Sequence, residues 1–333
     1  MKNLKDLAAD RIGAYRKDAQ SEGFIQELNS YLKDFEAQLY QKVEEQEHPI
    51  FMVIGAPRSG TTLCTQFLAN AYQLSYVNNL VARFYLNPLT GIQLSDQVLG
   101  RDNLPGFKSE YARTTDLTDI HEFGYYWRYW LKKDSLTAME TIAKDEQNID
   151  WKGLKSSILN MQHLWGNAAV FKNIFGSYHM QKLSEVLPKV VFVHIERNNL
   201  DAAESIYKAR LNQYGEKGLS KWWSYSPPNV SELLSKNVYE QIAGQVHFLK
   251  NYYQQESQKL DKRHFLSLRY EDLLLKPQEE AERIAQHVRK YFDYTLEVNP
   301  NLDQNFKRVK KAQQDSSVRQ RLTEEFKKLQ TQI

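Results

Sequence analysis

Nine residues, Gly55-Ala56-Pro57-Arg58-Ser59-Gly60-Thr61-Thr62-Leu63, hold the densest chemistry in this chain. They follow the apolar run Ile50 to Ile54 and precede a helical pattern through Cys64, Phe67, Leu68 and Ala71, which reads as strand, glycine-bounded loop, helix. Such a loop offers successive backbone N–H groups, and the helix behind it adds the positive end of its dipole, so the stretch suits a phosphate. The triphosphate form of this motif, G-x-x-x-x-G-K-[ST], needs a lysine for the β/γ-phosphates and a hydroxyl for Mg²⁺. Here Thr61 occupies the lysine position and the cation has moved into the loop as Arg58. Arginine presents a planar fork to a two-oxygen anion where lysine presents a point charge. The expected ligand is therefore a nucleotide, but one not handled as ATP is.

The run Pro57 to Leu63, P-R-S-G-T-T-L, resembles the 5′-phosphosulfate loop of sulfotransferases that use 3′-phosphoadenosine-5′-phosphosulfate (PAPS). Arg197, at the end of the apolar run Val190 to Ile195, is followed eight residues later by Ser205 and then by Arg210, which resembles the same family's R-x7-S element for the 3′-phosphate. The resemblance spans roughly residues 50 to 290, and these two motifs are its diagnostic part. It implies that Arg58 and the N–H groups of Ser59, Gly60, Thr61 and Thr62 hold the phosphosulfate, the two threonines adding hydroxyl donors. Arg197 and Ser205 would take the 3′-phosphate, with Arg210 either assisting or structural. Lys172, 25 residues before Arg197, would stabilise charge on the leaving phosphate. Tyr270, within Arg269-Tyr270-Glu271-Asp272-Leu273, resembles the family tyrosine near adenine. The bland alternatives are a tight turn for the loop, a surface arginine at a strand end, and a lysine snorkelling out of a buried strand.

Two positions depart from the cytosolic branch of that family. Leu63 stands where a tryptophan stacks on adenine, and Ile174 stands where a K-x-H histidine would act as base. A proton acceptor must therefore come from elsewhere, and an imidazole or carboxylate is the usual choice. The stretch His121-Glu122-Phe123-Gly124-Tyr125-Tyr126-Trp127-Arg128-Tyr129-Trp130 supplies both, with His121 expected as the base and Glu122 as its alternate. Its aromatic residues are either a pocket wall, which would suit an acceptor with an apolar body, or a core plug.

Sulfuryl transfer moves a singly charged group and releases a phosphate anion, so basic side chains and N–H groups can do what a metal does in triphosphate chemistry. The run Val190 to Ile195 ends in Glu196-Arg197 rather than a Walker-B-like aspartate, and no His/Cys cluster has zinc spacing, so no metal is expected. The activity expected is transfer from PAPS to a hydroxyl of a small-molecule or lipid-like acceptor. The rivals are a P-loop kinase-like phosphotransferase, disfavoured by the missing lysine, and a non-catalytic nucleotide-binding protein on the same fold.

The elements that must position these groups alternate strand with helix, which predicts an α/β fold: a P-loop-type parallel sheet flanked by helices, with N-terminal helices and a polar helical C-terminal tail. The first strand, Ile50 to Ile54, is expected at the centre. Further strands are predicted at 74–77, 168–172, 190–195 and 264–268. In the first 48 residues Phe24, Leu28, Tyr31, Phe35, Leu39 and Val43 form one apolar stripe, expected to cover the sheet or join subunits in a homo-oligomer. Residues 212–230, with Trp222, Trp223, Pro227 and Pro228, form a loop long enough to be a lid. A chain of 333 residues with 41% hydrophobic content supports one domain: a helical extension over 1–48, a core over 49–295 and a tail over 296–333.

Charge is nearly balanced, 44 basic against 41 acidic residues, so no global field argues for nucleic acid or a membrane surface. Four basic residues do cluster in the tail, at Lys307, Arg308, Lys310 and Lys311. The single cysteine, Cys64, is expected to be a small buried side chain. The opening residues lack an apolar core of a leader and no run approaches eighteen apolar residues, so a cytoplasmic protein without a membrane span is expected.

Overall fold

Strand β1, Ile50–Ile54, occupies the middle of the sheet in the computed structural model, and all five of its residues are apolar and fully buried, as a strand covered on both faces requires. Its neighbours are β3, Ala169–Lys172, and β4, Val190–Glu196. The edges are β2, Ser75–Tyr76, and β5, Phe265–Arg269. The order is β2-β3-β1-β4-β5 and every pairing is parallel. The structure describes residues 10–101, 105–106, 116–137, 146–302 and 315–331. The basic cluster Lys307 to Lys311 lies outside them.

A parallel sheet covered on both faces reads as continuous apolar runs, and β1 shows why. Ile50, Met52 and Ile54 pack on one side with Trp127, Leu154, Ile158 and Tyr253, while Phe51 and Val53 pack on the other with Phe67, Leu68, Ile284 and Val288. The helix Thr61–Tyr72 and the helix Pro277–Phe292 cover that second face; Trp151–Trp165 and Val238–Gln258 cover the first. Each such large side chain contributes about 1.5–3 kcal/mol through burial. The register aligns Val53 with Lys172, Ile54 with His194 and Glu196 with Arg269, so the strands end together. The carboxyl edge of a parallel sheet is where such folds bind ligands, and here it carries Gly55, Lys172, Arg197 and Tyr270.

The N-terminal helices, Ala19–Tyr31 and Lys33–Leu39, are docked differently from the expected apolar stripe. Phe24 is 62% and Tyr31 77% exposed, and Phe35 also faces solvent, whereas Asn29 and Glu36 are buried. Glu36 accepts from the N–H groups of Leu89 and Thr90 and from the Thr90 hydroxyl, capping the helix Pro88–Leu99 from a distance. Asn29 donates to the Ile25 and Arg83 carbonyls and accepts from the Leu86 N–H. Orphan helix donors and turn groups must find partners when buried, and that requirement, not apolar area, sets the face. At the other end the helix Ser316–Gln330 packs Val318 and Leu322 against Ile206 and Val246, and Arg319 pairs with Asp201 and Glu204 at 2.9 and 3.0 Å.

The segment proposed as a lid is a buried strap instead. Trp223, Tyr225 and Ser226 are buried. Gln245 donates to the Trp223 and Tyr225 carbonyls, Tyr178 donates to the Ser226 carbonyl, and the Tyr225 hydroxyl donates to the Gly55 carbonyl. Arg210, fully buried, donates to Gln241 Oε1 and lies 5.4 Å from the Trp222 ring, contacts that favour the structural alternative. Cys64 is buried as expected, and burial pushes its thiol up.

Candidate active site

The loop between β1 and the helix Thr61–Tyr72 is shaped by three local constraints. A Cβ on Gly55 would sit 2.6 Å from both the Ile195 carbonyl oxygen and Ser59 Oγ, so only glycine lets the chain turn here. Arg58 adopts φ 66, a left-handed conformation that non-glycine residues take up rarely and mostly at functional sites. Gly60 has φ 106, and a Cβ there would strike the Tyr270 ring. The helix that follows presents its unpaired first N–H groups and its positive dipole end at this loop.

The two anion motifs, 139 residues apart from Arg58 to Arg197, are joined directly. Arg58 Nε donates to Ser205 Oγ at 2.9 Å, and Arg197 Nη1 donates to the Arg58 carbonyl at 3.2 Å. The Arg197 guanidinium lies 4.6 Å from the Tyr270 ring centroid, and that same ring packs on Gly60. Ser205 sits within the helix Asn199–Tyr214, whose N-terminus is held by Asn198 Oδ1 accepting from Leu200 and Asp201. Arg58, Gly60, Arg197, Ser205 and Tyr270 therefore form one contiguous surface. Thr61 is buried at the start of the loop helix, and Ser59 Oγ is buried with no hydrogen-bond partner among the described residues.

A second cluster adjoins it through Thr62. Lys172 is only 4% exposed, so it does not snorkel; its Nζ donates to Thr62 Oγ1 at 2.9 Å and forms an ion pair with Glu122 Oε1. The Glu122 side chain is 45% exposed. Desolvation by the surrounding protein pushes the Glu122 pKa up, but the charge and hydrogen bond of Lys172, with smaller contributions from neighbouring cations, together hold the carboxyl below its ordinary value. An ionised carboxylate thus lies open to solvent beside the loop, braced by a buried ammonium and a loop hydroxyl.

His121, the residue before Glu122, is exposed, yet its surroundings desolvate the ring and lower its pKa to about 4. Its Nδ1 accepts the Phe123 N–H at 2.8 Å, which leaves the proton on Nε2. In that tautomer the imidazole has no free lone pair for an acceptor hydroxyl, so the geometry favours Glu122 over His121. The aromatic stretch beyond them is a core plug: Phe123, Tyr126 and Trp127 are buried, with the Phe123 and Tyr126 rings stacked at 4.5 Å. The inference of an apolar acceptor from those rings loses its basis.

Sequence reasoning missed Tyr225, whose hydroxyl fixes the Gly55 carbonyl, and the link from Lys172 through Thr62 to the loop. Nothing local marked either. Among the described residues no group of three or more His, Cys, Asp or Glu side chains is arranged to hold a metal ion, and no helix is long and apolar enough to cross a membrane.

Known proteins place the chain in a family and match its fold. The model of the Sulfotransferase family matches residues 49–293. Solved structures that resemble the chain include a sulfotransferase of Mycobacterium avium, at 13% identity and a TM-score of 0.55, covering 95% of this chain and 86% of that one. Another is a sulfotransferase of Mycobacterium tuberculosis H37Rv, at 14% identity and a TM-score of 0.50, covering 92% of this chain and 86% of that one. At such identities the likeness establishes the fold. No curated protein matches the chain in sequence.

Proposed function

Because the chain belongs to the sulfotransferase family, we propose that it transfers a sulfuryl group from PAPS to a hydroxyl of a small-molecule acceptor. Arg58 and the loop N–H groups from Ser59 to Thr62 bind the phosphosulfate. Arg197 and Ser205 bind the 3′-phosphate, and Tyr270 carries the Arg197 side chain and borders adenine. The acceptor oxygen attacks sulfur as the bond from sulfur to the bridging phosphate oxygen breaks. The acceptor proton passes to the Glu122 carboxylate, and 3′,5′-adenosine bisphosphate leaves with the bridging electron pair. Lys172, poised between Glu122 and Thr62, stabilises the charge that develops on that oxygen.

The observation that carries this reading is the bond from Arg58 Nε to Ser205 Oγ, which joins the loop motif to the downstream serine motif in one surface. Such a surface matches a ligand with phosphate at both ends of a ribose, and a nucleoside triphosphate offers no group to the second end. Calorimetry with 3′,5′-adenosine bisphosphate, AMP and ATP side by side tests it. Charge-assisted hydrogen bonds contribute about 1.5–3 kcal/mol each, so the bisphosphate is expected to bind at least about tenfold more tightly than AMP. Equal affinities, or tighter binding of ATP with a requirement for Mg²⁺, would overturn the assignment in favour of a kinase-like enzyme.

A further inference from the structure

Arg197 and Ser205 stand on either side of one joint, Asn198. The Asn198 carbonyl accepts the Ala202 N–H at 3.0 Å, and its Oδ1 accepts from Leu200 and Asp201 at 3.1 and 3.2 Å, which starts the helix that carries Ser205. The backbone N–H of such a capping residue has no carbonyl of its own helix to reach. A capping box usually supplies an acceptor from the carboxylate three residues on, as Glu240 does for Asn237 at the start of the helix Val238–Gln258. Here the residue three places on is Asp201, and its carboxylate is turned to Arg319 at 2.9 Å. The Asn198 N–H goes instead to Glu271 Oε1 at 3.2 Å, 73 residues along the chain. The box is closed from another strand.

That bond is one of three between the ends of β4 and β5. Glu196 is in register with Arg269, the Arg197 guanidinium lies over the Tyr270 ring, and Asn198 donates to Glu271. Three successive residues of one strand end thus meet three of the other, and the middle pair holds the arginine assigned to the 3′-phosphate. Glu271 lies in the first turn of the short helix Tyr270–Leu275, where any carboxylate favours the helix dipole. Asp272 supplies a charge in the same turn and pairs with Arg269 at 3.8 Å. The dipole therefore does not explain why a carboxylate long enough to reach Asn198 stands at 271.

We propose that Glu271 is a positioning residue for the 3′-phosphate of the donor: by holding Asn198 it sets Arg197 and Ser205 at the separation from which one phosphate engages both. This deepens the sulfotransferase reading and rests on it. Glu271 touches no donor atom in this scheme. A looser joint lowers the fraction of molecules with both groups in place, and apparent affinity falls with that fraction. Only a nucleotide that carries a 3′-phosphate feels the loss, so the segment Arg269 to Leu273 gains a second task beside that of Tyr270.

Two substitutions separate reach from charge. Glu271→Asp keeps the charge and the dipole contact but is one methylene short of Asn198, whereas Glu271→Gln keeps an oxygen at full reach and loses the charge. Calorimetry of each full-length variant with 3′,5′-adenosine bisphosphate and with AMP gives the ratio of the two affinities. In Glu271→Asp the ratio is expected to fall about three- to tenfold, the range of one lost hydrogen bond, with AMP affinity held; in Glu271→Gln both should hold. Hydrogen exchange over residues 197–205 of the empty protein should quicken in Glu271→Asp alone. An unchanged ratio in Glu271→Asp, an equal loss for both nucleotides, or greater damage from Glu271→Gln, as a dipole role requires, overturns the proposal. Failure of the donor reading shows separately, as equal binding of bisphosphate and AMP by the unaltered chain, and overturns both.

Discussion

Replacing Glu122 by glutamine removes a charge and a base while keeping the shape, and the structure makes its two consequences differ widely in size. The stability effect is small. Glu122 is 45% exposed, so water screens its side of the pair, and the loss should fall well below the roughly 3–5 kcal/mol of a fully buried pair even though Lys172 itself is buried. Lys172 retains Thr62 Oγ1 as a partner, and glutamine Oε1 can still accept from it. For a chain of this size a loss of about 1 kcal/mol lowers Tm by roughly 2–4 °C at most. The rate effect is large if the carboxylate takes the acceptor proton, since a positioned base contributes about 10²–10⁴-fold, equivalent to about 2.7–5.4 kcal/mol in the barrier. Donor binding should hold or tighten, because Lys172 no longer shares its charge with a neighbouring carboxylate. The assay follows bisphosphate release from PAPS with a small phenol as acceptor, alongside calorimetry with the bisphosphate and a thermal melt. A variant that keeps more than a tenth of the rate, or whose rate loss is matched by a loss of donor affinity, refutes the assignment of the base to Glu122.

The pH dependence provides a separate check. The folded Glu122 pKa lies below the ordinary carboxylate value, so the base form is present above it and the rate should fall only as pH drops below about 4.5; an acid limb near 6.5 in the pH–rate profile would return the role to an imidazole. Gly60→Ala should cost about 1–3 kcal/mol through the strained φ alone and should displace the Tyr270 ring that carries Arg197. Bisphosphate affinity is expected to fall at least about tenfold, while Gly23→Ala, in open space within the helix Ala19–Tyr31, should leave binding intact and raise stability slightly.

The strands and the loop between Ile50 and Leu63 were legible because their signals are local: an apolar run, two glycines, and the onset of helical periodicity. The eight-residue spacing that sets Arg197, just after β4, beside Ser205, on the helix Asn199–Tyr214, is local too. The faces of other elements were not. In the N-terminal helices an apolar-stripe rule buries Phe24 and Tyr31, yet the helix Pro88–Leu99 needed a distant carboxylate for its N–H groups, and Glu36 turned inward to supply it. Residues 222–226 look like a lid because they are irregular and contain prolines nearby. Their backbone groups are satisfied by Gln245 and Tyr178, and partners so far along the chain leave no trace in a local window. The choice between His121 and Glu122 turned on one backbone N–H, that of Phe123, occupying a ring nitrogen.

The position of β1 has a consequence for how the chain is made. It is the first strand to leave the ribosome, but its two hydrogen-bonding partners begin only at Ala169 and Val190. At about 5–20 residues per second, more than a hundred residues of synthesis take several to some twenty seconds. Throughout that interval Ile50 to Ile54, five apolar residues with two unpaired edges, must wait without the strands that cover them. A segment of this kind is a natural client for a holding chaperone, and yield in recombinant expression should respond more to translation speed and chaperone supply than to substitutions on the surface. Arresting synthesis shortly before and shortly after residue 196, and measuring protease resistance of the β1 region in each nascent chain, would locate the moment at which this waiting period ends.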